Sequence, residues 1–207
     1  MGRAHLGATP CGLATASCQR NRDASGRHMQ VRMQIAEAYG RLLEGNNSEN
    51  PVHRAEVGAQ IAKLGNAENE WFGIEHGFIY QGSPIVADGS AAAFPFDPAV
   101  YKPTTTPGAR LPSAFLKDGT ALYDRLGPYF TLIDFRRGDL SPFVDAAARR
   151  KIPLSVLQLD EPDLKGVYGK DMLLVRPDHH IAWRGTGSKA PNADAILATA
   201  FGWRVER

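Results

Sequence analysis

The stretch that most restricts how this chain can fold is Phe130 to Phe143, FTLIDFRRGDLSPF. Its first six residues form a short apolar run behind Gly127-Pro128, which reads as a buried strand over Phe130–Phe135. Arg136-Arg137-Gly138-Asp139 makes a polar turn. Ser141 is expected to cap a helix with Pro142 at its first position. Phe143, Val144, Ala147 and Ala148 then supply that helix's buried face. A strand feeding a helix through a tight turn is half of a crossover unit, so the next strand should run parallel to it. Leu154 to Leu159 meets that requirement.

The flanking sequence extends the pattern. Ala114-Phe115-Leu116 reads as a short strand, and Thr120 to Leu126 as a short helix stopped by Gly127-Pro128. Residues 162–168 form a turn or short helix. Met172–Val175 and Ile181–Trp183 read as strands joined by Pro177-Asp178-His179-His180. Asn192 is expected to cap a last helix carrying Ile196, Leu197 and Phe201. Residues 114–207 therefore predict an α/β domain of order β-α-β-α-β-α-β-β-α, a mixed sheet with helices on both faces. That order is thioredoxin-like. Disulfide exchange would need a thiolate at the helix start after Phe130–Phe135, where amide groups and the helix dipole lower a thiol pKa. No cysteine lies there, Asp139 would repel a thiolate, and no proline precedes Met172. A redox-inactive shell is expected.

Upstream, Val31, Ile35, Ala38 and Leu42 recur at helical spacing and predict an amphipathic helix from Met29 to Leu43, ending at Gly45. A second helix starts at Pro51 with a stripe of Ala55, Ile61, Ala62 and Leu64, and continues toward Trp71. Gly77–Tyr80 reads as a short strand. Residues 87–113 hold five prolines, which block helix and central strand alike, so an extended connecting loop and a domain boundary are expected there. Residues 1–28 lack any period and are expected to be a disordered or non-native leader, with Met29 or Met33 as an alternative start. Four segments result: the leader, a helical segment with a short strand over 29–86, the proline-rich loop over 87–113, and the thioredoxin-like domain over 114–207.

Charge and cysteine usage exclude several functions. A net charge of +2 without a basic cluster argues against a nucleic-acid partner. No apolar run approaches the ~20 residues of a membrane span, and the N-terminus lacks a signal pattern, so the expected location is the cytoplasm. Cys11 and Cys18 match neither zinc nor redox spacing, and no metal ligand set is expected.

Three runs carry a family resemblance: GFIYQGSPIVADG, YKPTTTPGARLPSAFLKDGTALYDRLGPYFTLIDF and YGKDMLLVRPDHHIAWRG. They resemble the C-terminal part of class A FAD-dependent aromatic monooxygenases, the phenol, hydroxyphenylpropionate and polyketide hydroxylase type. The matching residues are Gly82, Ser83, Pro84; Tyr101, Pro103, Pro107, Gly108, Arg110, Pro112; Asp118, Gly119, Tyr123, Asp124; Val175 to Asp178, His180, and Ala182 to Gly185. Phe78 stands at the usual Tyr and Ser113 where His is common. The resemblance implies FAD, NAD(P)H and dioxygen as the reagents of a phenol-hydroxylating full-length enzyme. Its dinucleotide fingerprint, Gly-x-Gly-x-x-Gly, is missing from this sequence, and Gly185-Thr186-Gly187 reads as a strand-to-helix turn. The chain alone is thus expected to bind no cofactor and to have no catalytic residues of its own. Its expected partner is a flavin-binding domain or subunit, or a second copy through the front helices. The alternative is a stand-alone, redox-inactive interaction or dimerisation module.

The residues singled out as substrate or domain-interface candidates are Arg110, Tyr80 and Pro84. For Arg110 the competing expectation is a loop arginine paired with a nearby acid. Trp71, Phe72, Phe78 and Tyr80 suit an aromatic pocket, but core packing is the expectation for them. His179 and His180 are expected to be exposed turn residues, and His76 beside Glu75 has no nucleophile to activate.

Overall fold

Leu132 and Ile133 are adjacent, fully buried, and belong to two different cores on opposite faces of one sheet. The computed structural model describes residues 11–44, 49–64, 71–80, 83–86, 96–186 and 192–203. Its strands are β1 (Phe130–Asp134), β2 (Leu154–Gln158), β3 (Met172–Val175) and β4 (Ile181–Gly185), ordered β2-β1-β3-β4. β1 and β2 are parallel, with Leu132 opposite Val156. β3 runs antiparallel to both neighbours, with Leu174 opposite Leu132 and Trp183. This is the mixed α/β sheet expected from the sequence, with β3 and β4 as the hairpin.

The helices are α1 (Cys11–Leu43), α2 (Pro51–Leu64), α3 (Phe72–Glu75), α4 (Ser141–Arg150), α5 (Pro162–Tyr168) and α6 (Ala193–Ala200). On one face Phe143, Ala146 and Ala147 of α4 and Ile196 and Leu197 of α6 pack on Phe130, Leu132, Leu174 and Trp183. The other face is covered by Leu111, Leu116 and Leu122 from the incoming segment and by Tyr168 at the end of α5. Asn192 caps α6 by accepting the Ala195 amide. Arg150 clamps α4 to α6 through both carboxylate oxygens of Asp194.

Several expectations are corrected. Ser141 is not the cap of α4; Leu140 occupies that position, and Ser141 begins the helix with its amide and hydroxyl on Asp139. Ala114–Leu116 is not a strand but makes a single antiparallel pair between Phe115 and Ala121. The helix expected from Thr120 is a short 3-10 turn over Leu122–Arg125. Gly77–Tyr80 likewise makes one pair, Ile79 with Ala109. Residues 11–28, expected to be irregular, are helical within α1, because alanine and arginine outnumber the helix-breaking residues there. Residues 1–10 lie outside the described residues, as do Gly82 and Gly187. Trp71, Phe72, Phe78 and Tyr80 are not core; Ile79 and Gly73 are the buried members of that region. The front helices pack on each other, yet Met29, Val31, Met33, Tyr39, Val52 and Ile61 stay exposed.

Candidate functional site

The later part of the proline-rich loop becomes a fifth row of the sheet. Gly108 donates its amide to the Ile181 carbonyl (2.6 Å), Ile181 returns one to Ala109 (2.9 Å), and Leu111 donates to His179 (2.8 Å). Tyr80 adds a sixth row by donating its amide to the Gly108 carbonyl at 2.9 Å. Gly108 is required here: its φ is 92°, and a Cβ would sit 3.0 Å from the Tyr80 carbonyl oxygen. This ladder brings two of the sequence candidates, Tyr80 and Arg110, to one edge of the molecule, where each enters its own cluster.

Around Tyr80 the hairpin turn supplies a charged network. Arg176 donates to both carboxylate oxygens of Asp178 at 3.0 to 3.2 Å and lies over the Tyr80 ring, 5.5 Å from its centroid. The Tyr80 hydroxyl donates to Asp178 Oδ2 at 3.3 Å. Burial, with help from the Asp178 charge, raises the Tyr80 pKa and keeps the phenol protonated. At Asp178 burial is the largest influence and works upward. Hydrogen bonds from His180 and Arg176, with the Arg176 charge, outweigh it and hold the carboxyl well below its usual range. His180 is not an exposed turn residue: its side chain is 13% exposed, against the rings of Tyr80 and Phe78. Its Nδ1 lies 3.0 Å from the Asp178 carbonyl, and Nε2 has no hydrogen-bond partner among the described residues.

Around Arg110 the surroundings are phenolic. Arg110 Nε donates to the Tyr123 hydroxyl at 3.4 Å, and that hydroxyl donates onward to the Leu111 carbonyl. The guanidinium carbon lies 5.7 Å from the Tyr123 ring centroid, and no carboxylate pairs with it among the described residues. The expected loop salt bridge is therefore replaced by a tyrosine. His179 packs on Tyr123 at 4.5 Å, and burial followed by the Arg110 charge lowers its pKa, favouring neutral imidazole. His76, Tyr101, Leu111 and Ser113 complete an open pocket of about 290 Å³ with Arg110 and Tyr123. Pro84 is an exposed turn residue and joins neither cluster among the described contacts. No group of three metal-ligating side chains occurs among the described residues.

At the opposite end of the sheet the β1–α4 turn is closed by Asp134. This fully buried carboxylate accepts the Arg136 amide at 3.0 Å, the Gly138 amide at 2.6 Å and Gln158 Nε2 at 3.3 Å. The Arg136 and Gly138 amides of the turn are thus satisfied by the chain itself. Sequence reading placed Asp134 within a strand and missed this role. The signal was an aspartate at a strand end four residues before a turn glycine. Tyr101, Tyr123 and Asp178 were similarly seen only as motif positions.

Residues 104–203 match the aromatic-ring hydroxylase C-terminal family. Over 152 aligned positions, covering 69% of this chain, the sequence is 38% identical to an FAD-dependent monooxygenase, opdD, of Penicillium oxalicum (strain 114-2 / CGMCC 5302), covering 29% of that protein. Phenol 2-monooxygenase of Pseudomonas sp. (strain EST1001) is 30% identical over 182 residues, 78% of this chain and 30% of the relative. The chain thus spans less than a third of the curated relatives it matches. Among solved structures, chromopyrrolic acid-soaked RebC with bound 7-carboxy-K252c superimposes with a TM-score of 0.73 at 26% identity, over 92% of this chain and 36% of that one. The flavin-dependent monooxygenase PieE, in complex with FAD and substrate, gives 0.64 at 26% identity, over 89% of this chain and 37% of that one.

Proposed function

Because this chain belongs, through residues 104–203, to the aromatic-ring hydroxylase C-terminal family, we propose that it serves as the C-terminal portion of an FAD-dependent, NAD(P)H-using hydroxylase of phenolic rings. The flavin, when bound by the remainder of such an enzyme, supplies oxygen activation. The residues of this chain supply a scaffold and an interface. The carrying observation is the uncovered apolar surface of α1 and α2, where Met29, Val31, Met33, Val52 and Ile61 face solvent beside a sheet whose own cores are closed. A flavin-binding domain or subunit is the partner that surface suits. Tyr80 and Arg110, on the ladder that joins residues 71–80 to the sheet, are the interface or substrate-mouth residues; Pro84 marks the exposed turn beside them.

The chain by itself holds no FAD in this reading. Support comes from the missing Gly-x-Gly-x-x-Gly fingerprint and from the β1–α4 turn, whose Arg136 and Gly138 amides bind Asp134. In this reading no step of the hydroxylation runs through the described residues. No helix among them is long and apolar enough to cross a membrane.

The test is purification of the chain with added FAD, alone and co-expressed with the flavin-binding portion of the Penicillium oxalicum relative. The expected results are a colourless isolated chain with no NAD(P)H oxidation, and co-purification of the two portions. A yellow isolated chain that oxidises NAD(P)H would reverse the assignment. The same apolar surface also suits self-pairing of a redox-inactive module through α1 and α2. A concentration-dependent dimer that the flavin portion does not dissociate would favour that second reading.

A further inference from the structure

We propose that the pocket walled by Tyr101, Arg110 and Tyr123 is an accessory binding site for a small aromatic carboxylate. Arg110 is a half-buried cation with no carboxylate partner among the described residues. Its Nε is already committed to the Tyr123 hydroxyl, and that hydroxyl is fixed in turn by the Leu111 carbonyl. The guanidinium is therefore oriented by its Nε, while its two terminal nitrogens have no partner among the described residues. Two such parallel donors match the two oxygens of a carboxylate.

The walls select the rest of the ligand. Tyr101, Tyr123 and His76 present rings, which favour a flat apolar body over a hydrated anion. Among the described residues neither Asp nor Glu lines the pocket to repel the ligand. A single guanidinium balances one negative charge, suiting a carboxylate better than a phosphate dianion. The pocket volume of about 290 Å³ is ample, since a cavity of about 150 Å³ accommodates benzene. Burial and the neighbouring Tyr123 raise the Tyr101 pKa, so its hydroxyl remains a donor at neutral pH. Binding here requires neither flavin nor turnover, so its test is separable from that of the hydroxylase reading.

The experiment is a fluorine NMR titration of the full 207-residue chain with para-fluorobenzoate. Saturable line broadening is expected, reversed by unlabelled benzoate and unaffected by equimolar inorganic phosphate. Fluorobenzene, which lacks the carboxylate, should bind at least about tenfold more weakly. Arg110→Gln should weaken para-fluorobenzoate by about tenfold or more, and Arg110→Lys by less, since an ammonium keeps the charge and loses only the paired geometry. Tyr101→Ala should weaken it without touching the cation, which keeps the test informative if Arg110→Gln fails to fold. Equal binding by Arg110→Gln, equal binding of fluorobenzene, or competition by phosphate would overturn the proposal. Absence of saturable binding by the isolated chain, expected were Arg110 to receive a partner protein's acidic side chain, would overturn it too.

Discussion

The buried carboxylate of Asp134 accepts the Gly138 amide at 2.6 Å, closing the β1–α4 turn on the end of its own strand. In a thioredoxin-like sheet this is where reactive sulfur would sit. Here the amides are internally satisfied and the turn is a structural clasp.

Asp134→Ala should therefore be among the most destabilising single changes outside the apolar cores. It strips the Arg136 and Gly138 amides of their acceptor, and each unmet donor costs about 1–3 kcal/mol. A loss of about 2–4 kcal/mol is expected in urea unfolding, with Asp134→Asn losing less because one oxygen still accepts. An alanine variant within about 0.5 kcal/mol of the parent would show that the clasp is not needed.

Tyr123→Phe removes the hydroxyl shared by Arg110 Nε and the Leu111 carbonyl. Leu111 is 1% exposed, so its carbonyl loses its tyrosine donor in a dry setting. About 1 kcal/mol of stability should be lost. The para-fluorobenzoate affinity should fall as well, because the guanidinium is no longer held.

Gly73→Ala tests whether α3 is seated on the segment at Asp97–Pro98. A Cβ there would lie 1.7 Å from the Asp97 carbonyl oxygen, a contact that backbone must move to relieve. Destabilisation of about 1–3 kcal/mol is expected, together with faster proteolysis around residues 96–101. Unchanged cleavage there would mean the two segments are not packed together.

Asp178 should make the fold acid-sensitive. Its folded pKa lies below the unfolded value of about 4. A depressed carboxyl contributes its stability in full above that unfolded value and loses it as pH falls through the folded value. Asp178→Asn should be less stable than the parent at neutral pH, and the gap should narrow as pH drops below about 4. A gap that stays constant on acidification would show that the Arg176–Asp178–His180 network does not depend on the charge.

Much of the sheet was readable from local pattern. Phe130–Asp134, Leu154–Gln158, Met172–Val175 and Ile181–Gly185 are short apolar runs between breakers, and each became a strand. Boundaries were less readable. Ser141 has the right chemistry for a cap, but Asp139 claims both its amide and its hydroxyl, which shifts the cap to Leu140. Ala114–Leu116 has the right composition for a strand, but Leu116 and Leu122 are drawn down onto the second core and the chain turns instead.

The site residues divide in the same way. Arg110 and Tyr80 were found through their motif positions, but their partners were not. Tyr123, His179, Asp178 and His180 reach them only after residues 108–111 pair with the start of β4 and Tyr80 pairs with Gly108.

Apolar periodicity and proline and glycine placement were enough to indicate a mixed α/β sheet. Those properties depend on near neighbours in the chain, where sterics and local hydrogen bonding act. The choice of tyrosine over carboxylate as the partner of Arg110, the partial burial of His180 and the closure of the turn by Asp134 arose only on folding. They depend on which backbone edges pair and which charges lose water together, and those energies belong to groups far apart in the chain.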